Sequence, residues 1–174
     1  MQFIVVLSYF NRKIGPTIFY SFPKNKLNEE NTTIIPNLMD QIISEGFFTY
    51  SFNSSYTLNY YFEINSEWAR ANKELLMISI IFHQPPSIET EKAVFTLCIE
   101  FTDWLKSKEG LFTAFYEKTN PINRNCQNKI KTNKSIVKAW IKEFYYTTAD
   151  EIQEKLEEDY IISLLEKKDT LETL

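Results

Sequence analysis

Three glycines in 174 residues is very few. Phosphate-cradling loops need two or three glycines close together, so Walker-type and dinucleotide-binding fingerprints are excluded. Histidine occurs once, at His83, and cysteine twice, at Cys98 and Cys126. These three cannot make a zinc site of the usual spacing, and two distant cysteines give no disulfide framework. The longest apolar runs, 3–7 and 75–78, fall far short of the roughly 20 residues that span a bilayer. The start, Met1-Gln2-Phe3, lacks the basic region of a secretory leader. A cytoplasmic chain with no transmembrane segment is the expectation.

What is abundant is aromatic and apolar. Fourteen Phe, ten Tyr and three Trp accompany a 44% hydrophobic content and a net charge of −4. That supports one soluble globular domain with an ample core and excludes wholesale disorder. Residues 3–10 and 75–82 are almost continuously apolar and predict strands covered on both faces. Residues 17–22, 47–52 and 56–64 predict further strands, the first closing a hairpin across the turn at 11–16, the others a hairpin across 53–55. In the strand at 56–64, Leu58, Tyr60, Phe62 and Ile64 share one face. Residues 24–33 read as a loop. Pro36 suits a first helical turn and Gly46 its C-cap, with Leu38, Met39, Ile42 and Ile43 as its stripe. Ser87 predicts the N-cap of a second helix, with Val94, Leu97, Cys98, Phe101, Trp104 and Leu105 at helical spacing and Gly110 beyond its end. A polar loop is expected from 118 to about 133. Ile136, Val137, Trp140, Ile141, Phe144 and Tyr145 make a third stripe. Thr148 and Glu151 form a capping box for a separate last helix, with Ile152, Leu156, Tyr160, Ile161, Leu164 and Leu165 on its apolar face. Its cover is expected to come from the chain itself, as a hairpin with 134–146; dimerisation is the other way to cover it. The division is a domain at 1–146 and a helical extension at 147–174.

This order, a five-stranded mostly antiparallel sheet with two doubly apolar strands and flanking helices, resembles the longin domain, a profilin-like three-layer α/β/α sandwich. The resemblance covers about 1–146 and implies sheet order 2-1-5-4-3, the first helix on one face and the later two on the other. The stretch Phe10-Asn11-Arg12-Lys13-Ile14-Gly15-Pro16-Thr17-Ile18-Phe19-Tyr20-Ser21-Phe22-Pro23 is similar to the first hairpin of longins of the nitrogen-permease-regulator and folliculin type, and of longin-like proteins of Asgard archaea. In the loop Glu67-Trp68-Ala69-Arg70-Ala71-Asn72, Arg70 stands near where such longins carry an arginine finger for a partner GTPase; here Ala71 intervenes before Asn72. A permanently charged, planar guanidinium suits charge developing in phosphoryl transfer. The same Arg could equally be a solvated loop residue or stack on Trp68. Gly15 and Pro16 could be turn chemistry alone.

The resemblance implies a non-catalytic interaction module: a scaffold, adaptor or regulator of a small Ras-like GTPase in signalling or vesicle trafficking, with a GTPase or a second longin or roadblock chain as partner, or a homodimer. The alternatives are a GTPase activator using Arg70 and a membrane-surface module. No cofactor and no metal are expected.

Charge is segregated. Residues 118–142 carry Lys118, Arg124, Lys129, Lys131, Lys134, Lys138 and Lys142 without an acid, whereas 143–174 carry ten acids against three bases. The basic stretch suits anionic lipid or an acidic partner, or it faces the acidic terminal helix. It lacks the interleaved aromatics of a nucleic-acid platform. Glu29/Glu30 and Glu157/Glu158/Asp159 read as solvated faces, His83 as a strand-end residue and Cys98 as core.

Overall fold

Residues 3–82 hold five strands that make one antiparallel sheet. In this computed structural model, which describes residues 2–42, 44–69, 71–117 and 124–172, the strands are β1 (Phe3–Asn11), β2 (Gly15–Phe22), β3 (Gly46–Phe52), β4 (Ser55–Asn65) and β5 (Lys73–Phe82). Their order is β2-β1-β5-β4-β3. The two apolar strands therefore lie at the centre, side by side, from Phe3 opposite Phe82 to Tyr9 opposite Leu76. Alternation along a strand divides the core in two. Phe3, Val5, Leu7 and Tyr9 point to the larger half, with Leu58, Tyr60, Phe62 and Ile64 of β4. Ile4 and Val6 point to the smaller half, with Met77, Ile81 and Tyr61.

Helix α1 (Glu29–Asn37) covers the smaller half through Ile35, followed by Leu38 and Met39. It begins earlier than the sequence predicts. The Asn28 side chain accepts from the Asn31 amide at 2.7 Å, and Glu29 and Glu30 sit in the first turn, where carboxylates complement the helix dipole. Pro36 falls in the last turn rather than the first, and Gly46 opens β3 rather than capping a helix. Helix α2 (Ile88–Ser107) covers the larger half. Ser87 caps it as predicted, and Val94, Cys98, Phe101 and Leu105 are buried beneath it. Gly110 follows at φ 71°, and a short 3-10 turn at Leu111–Phe115 fills the end of this core with Leu111, Phe112, Ala114 and Phe115.

Helix α3 (Arg124–Glu172) is one continuous 49-residue helix. This corrects two expectations: residues 124–133 are helical rather than a loop, and Thr148 caps nothing. Thr148 lies inside the helix, fully buried between Phe144 and Ile152 on the face packed against the larger core. A hairpin between 134–146 and 148–168 is thereby ruled out, since a straight helix cannot fold back on itself. Among the described residues, no helix is long and apolar enough to cross a membrane.

Candidate functional site

The β1–β2 turn, the β4–β5 loop and the end of the 3-10 turn meet at one end of the sheet. Antiparallel pairing places them together: Asn11 lies opposite Gly15, and Asn65 opposite Lys73. Glu74, the second residue of β5, is the centre. Its carboxylate is 6% exposed. One oxygen, Oε1, accepts from Ser66 Oγ at 2.6 Å and from Tyr116 Oη at 2.5 Å. The Tyr116 oxygen in turn accepts from Arg12 Nη2 at 3.0 Å, which leaves that nitrogen 3.7 Å from Glu74 Oε1. The Arg12 guanidinium also stands over the Tyr116 ring, 5.7 Å from its centroid. A buried carboxylate is tolerable only when it accepts hydrogen bonds and its charge is met; here Ser66 and Tyr116 donate to it and the Arg12 guanidinium supplies the opposite charge.

The β4–β5 loop is itself tied. The Ser66 amide donates to the Asn72 carbonyl at 2.9 Å, and the Asn72 amide donates to Ala69 at 2.9 Å, with Asn72 at φ 58°. Trp68 sits edge-on to both Phe112 and Tyr116, with centroids 5.6 and 5.1 Å away, yet is 38% exposed. Burial, reinforced by the hydrogen bond to Glu74, pushes the Tyr116 phenol up to about 12. Tyr116 is therefore a neutral donor at physiological pH. The group has no activated nucleophile: its carboxylate is engaged by donors and its phenol holds its proton. It latches the hairpin to the loop and presents the Arg12 guanidinium beside a cleft of about 220 Å³ lined also by Tyr9, Asn11, Phe115 and Tyr116.

Gly15, Pro16 and Trp68, singled out in the sequence, belong to this same end. Gly15 adopts φ 82°, a left-handed conformation that favours glycine. Arg70 lies outside the described residues. Arg12 was missed in the sequence because the turn drew attention to its glycine and proline. The available signal was Glu74, a carboxylate at the head of an apolar strand, which needs a cation or donors from elsewhere in the chain.

The basic stretch is a different place. Lys118 lies outside the described residues, and Arg124 opens α3 with a side chain that is not described. Lys129, Lys131, Lys134, Lys138 and Lys142 are spread along α3 rather than gathered in a loop. Lys138 stands 5.5 Å from the centre of the Tyr20 ring and Lys142 5.9 Å from that of Phe22, beside the outer edge of β2.

His83 is exposed just past β5. Cys98 is buried and burial raises its thiol, so it is an inert core group. Among the described residues no group of three His, Cys, Asp or Glu side chains could hold a metal ion. No protein-family model matches the chain, and no curated protein does.

Proposed function

We propose that this chain is a longin-type interaction module, a cytoplasmic scaffold or regulator that engages a small Ras-like GTPase through the sheet end built on Glu74. The observation that carries the reading is convergence: the Gly15-Pro16 hairpin and the Trp68 loop, separate in sequence, are latched together by the Arg12–Tyr116–Glu74–Ser66 chain. A guanidinium and a half-exposed indole that both pack on Tyr116, a phenol that keeps its proton, suit recognition. Arg and Trp are the residue types that dominate binding at interfaces. The strand order agrees with the resemblance, and fold alone does not assign function.

The test is binding and hydrolysis with small Ras-like GTPases encoded in the source genome. The reading expects one of them to be retained by the full chain, and Arg12→Ala with Trp68→Ala to abolish retention while the double variant stays folded. If none is retained, or if retention survives both substitutions, the reading is wrong. Arg70→Ala separates regulator from activator. Should the chain accelerate hydrolysis through Arg70, that variant loses the acceleration by about 10³-fold or more; a scaffold shows no acceleration to lose.

A further inference from the structure

We propose that the outer edge of β3 pairs with β3 of a second copy, antiparallel about a two-fold axis at Thr49, so that two sheets become one. The starting observation is that the two edges of the sheet are built differently. β2 carries Pro16, which has no amide to offer, and it pairs with β1 through a register shift between Leu7 and Ser8. Beside it α3 sets Lys138 and Lys142 against the Tyr20 and Phe22 rings. Proline, irregular pairing and lysine are the means by which an edge strand is kept from pairing with another chain. β3 has none of them. Its sequence, Gly-Phe-Phe-Thr-Tyr-Ser-Phe, holds no charge and no proline, and its register with β4 is unbroken. Among the described residues, no segment other than β4 hydrogen-bonds to its backbone.

The hairpin fixes which groups point outward. The turn between β3 and β4 has two residues, Asn53 and Ser54, with Phe52 opposite Ser55. The residues that flank a two-residue turn exchange both backbone bonds, and bonded pairs then alternate along an antiparallel ladder. Tyr50 and Phe48 therefore face β4. Their carbonyls also accept from its side chains, from Thr57 Oγ1 at 3.0 Å and Asn59 Nδ2 at 3.4 Å. The amides and carbonyls of Phe47, Thr49 and Ser51 face away from the sheet.

The occupant is indicated by self-complementarity. A two-fold contact requires residue i to meet j while j meets i. Thr49 is the middle of β3, and an axis there uses every outward group: Thr49 meets Thr49, and Phe47 meets Ser51 twice. These pairs supply about six hydrogen bonds. On the opposite face Phe48 meets Tyr50, which is 37% exposed in one copy, as a cross-strand aromatic pair. The helix above agrees with the same axis. Tyr56, opposite Ser51, donates to Glu91, and Phe47 packs on Phe95, so α2 passes Thr49 between those two residues. Ile88 and Ile99 lie either side of that point, three turns apart on the flank of α2 that carries Phe95, and are 66% and 44% exposed. The axis stands perpendicular to the sheet and brings Ile88 of one copy towards Ile99 of the other. α2 packs on β4, so the two helices are about 14 Å apart, three strand spacings, and do not collide. Because β2 is guarded, pairing closes at two copies and does not propagate. The surface is separate from the Glu74 end and does not depend on the reading given to it.

Sedimentation equilibrium of the full chain reads the association, and amide hydrogen exchange by NMR reads its register. The expected result is a dimer. In it the Phe47, Thr49 and Ser51 amides are protected at high protein concentration and exchange about tenfold faster or more once dilution yields the monomer. The Phe48 and Tyr50 amides, which face β4, keep their protection at both concentrations. Thr49→Pro removes both donors at the axis and spares the bonds to β4, so it should weaken self-association about tenfold or more. Circular dichroism confirms that the variant is folded. If it is not, Thr49→Lys, which sets two ammonium groups against each other at the axis, makes the same comparison. A wild-type chain that is monomeric at about 100 μM overturns the proposal. So does a dimer whose Phe47, Thr49 and Ser51 amides exchange freely, or a folded Thr49 variant that associates like the wild type.

Discussion

The two halves of α3 have the same kind of apolar pattern and opposite fates. Before residue 153 the pattern is core: Val137 and Ile141 are fully buried, and Phe144 and Ile152 nearly so. After it, Leu156 at 39% and Ile161 at 56% continue the helix into solvent. Nothing in the periodicity distinguishes them. What differs is the sheet beneath. Phe3, Phe22 and the α2 residues Phe101 and Trp104 give the first half aromatic partners in Tyr145, Phe144 and Trp140, and among the described residues there is no such platform further along. Helical amphipathicity thus announces that a face must be covered, and leaves open whether the cover is the chain's own core.

Substitution with aspartate gives the sharpest contrast. Ile141→Asp places a carboxylate with no partner in the core, a cost of several kcal/mol that is comparable to the stability of a domain this size. Loss of the folded state is expected by circular dichroism. Leu156→Asp, equally apolar in sequence, is expected to melt with the wild type. Val6→Asp or Ile80→Asp, at the doubly covered centre of the sheet, belongs with Ile141. A Leu156 variant as damaged as the Ile141 variant would show that the two halves share one core after all.

Truncation within the aromatic contacts is milder. Phe144→Ala removes a ring that packs on Phe101 at 5.0 Å between centroids and should cost about 3–5 kcal/mol in chemical denaturation. Ile161→Ala should stay within about 0.5 kcal/mol, as a surface change does. Cutting the chain after Gln153 is expected to be milder still for folding. It keeps Ile152, removes only the uncovered half, and should leave the melting temperature of the body nearly unchanged. Loss of the folded body on that cut would mean the distal half is needed within the chain.

The same distinction governs what was legible in the sequence. The sheet could be read because β1 and β5 are apolar on both sides at nearly every buried position, with Ser8 and Ser79 as small polar interruptions, a pattern that central strands require. α2 could be read because its cap, Ser87, and its stripe agree. α1 begins seven residues before Pro36, where the sequence places its start, because its cap and first turn, Asn28-Glu29-Glu30-Asn31, have the composition of a loop; the Asn31 side chain is nonetheless buried. Thr148 and Glu151 have the chemistry of a capping box, but a threonine can be buried mid-helix on a packed face, and only the core beneath it decides. At the candidate site, Gly15, Pro16 and Trp68 were visible as types. The latch was not, because Arg12, Ser66, Glu74 and Tyr116 are brought together by strand pairing over separations of up to 104 residues.

The smallest expected effect concerns protons at covered tyrosines, and it distinguishes the latch end from the rest of the surface. Two phenols are pushed up to about 12, Tyr116 by burial and then by Glu74, and Tyr60 by burial and then by Glu45. In the unfolded chain both lose their protons near the ordinary tyrosine value of about 10. Between about pH 10 and 12 the unfolded state therefore binds fewer protons than the folded one, and linkage makes stability fall as pH rises through that window. The contribution is fully present below pH 10. A near-ultraviolet titration of the folded protein should show these two among its late phenols, since Tyr20, Tyr56 and Tyr61 are raised as well. Tyr116→Phe and Tyr60→Phe should each remove one of them. Tyr116→Phe also leaves Arg12 without its acceptor, so it should free the hairpin turn from the β4–β5 loop, seen as faster amide exchange at Ser66 and Asn72, with little change in melting temperature. Unchanged exchange at those two amides, with the late phenol gone, would mean that Ser66 alone holds the loop on Glu74 and that the latch does not extend to Arg12.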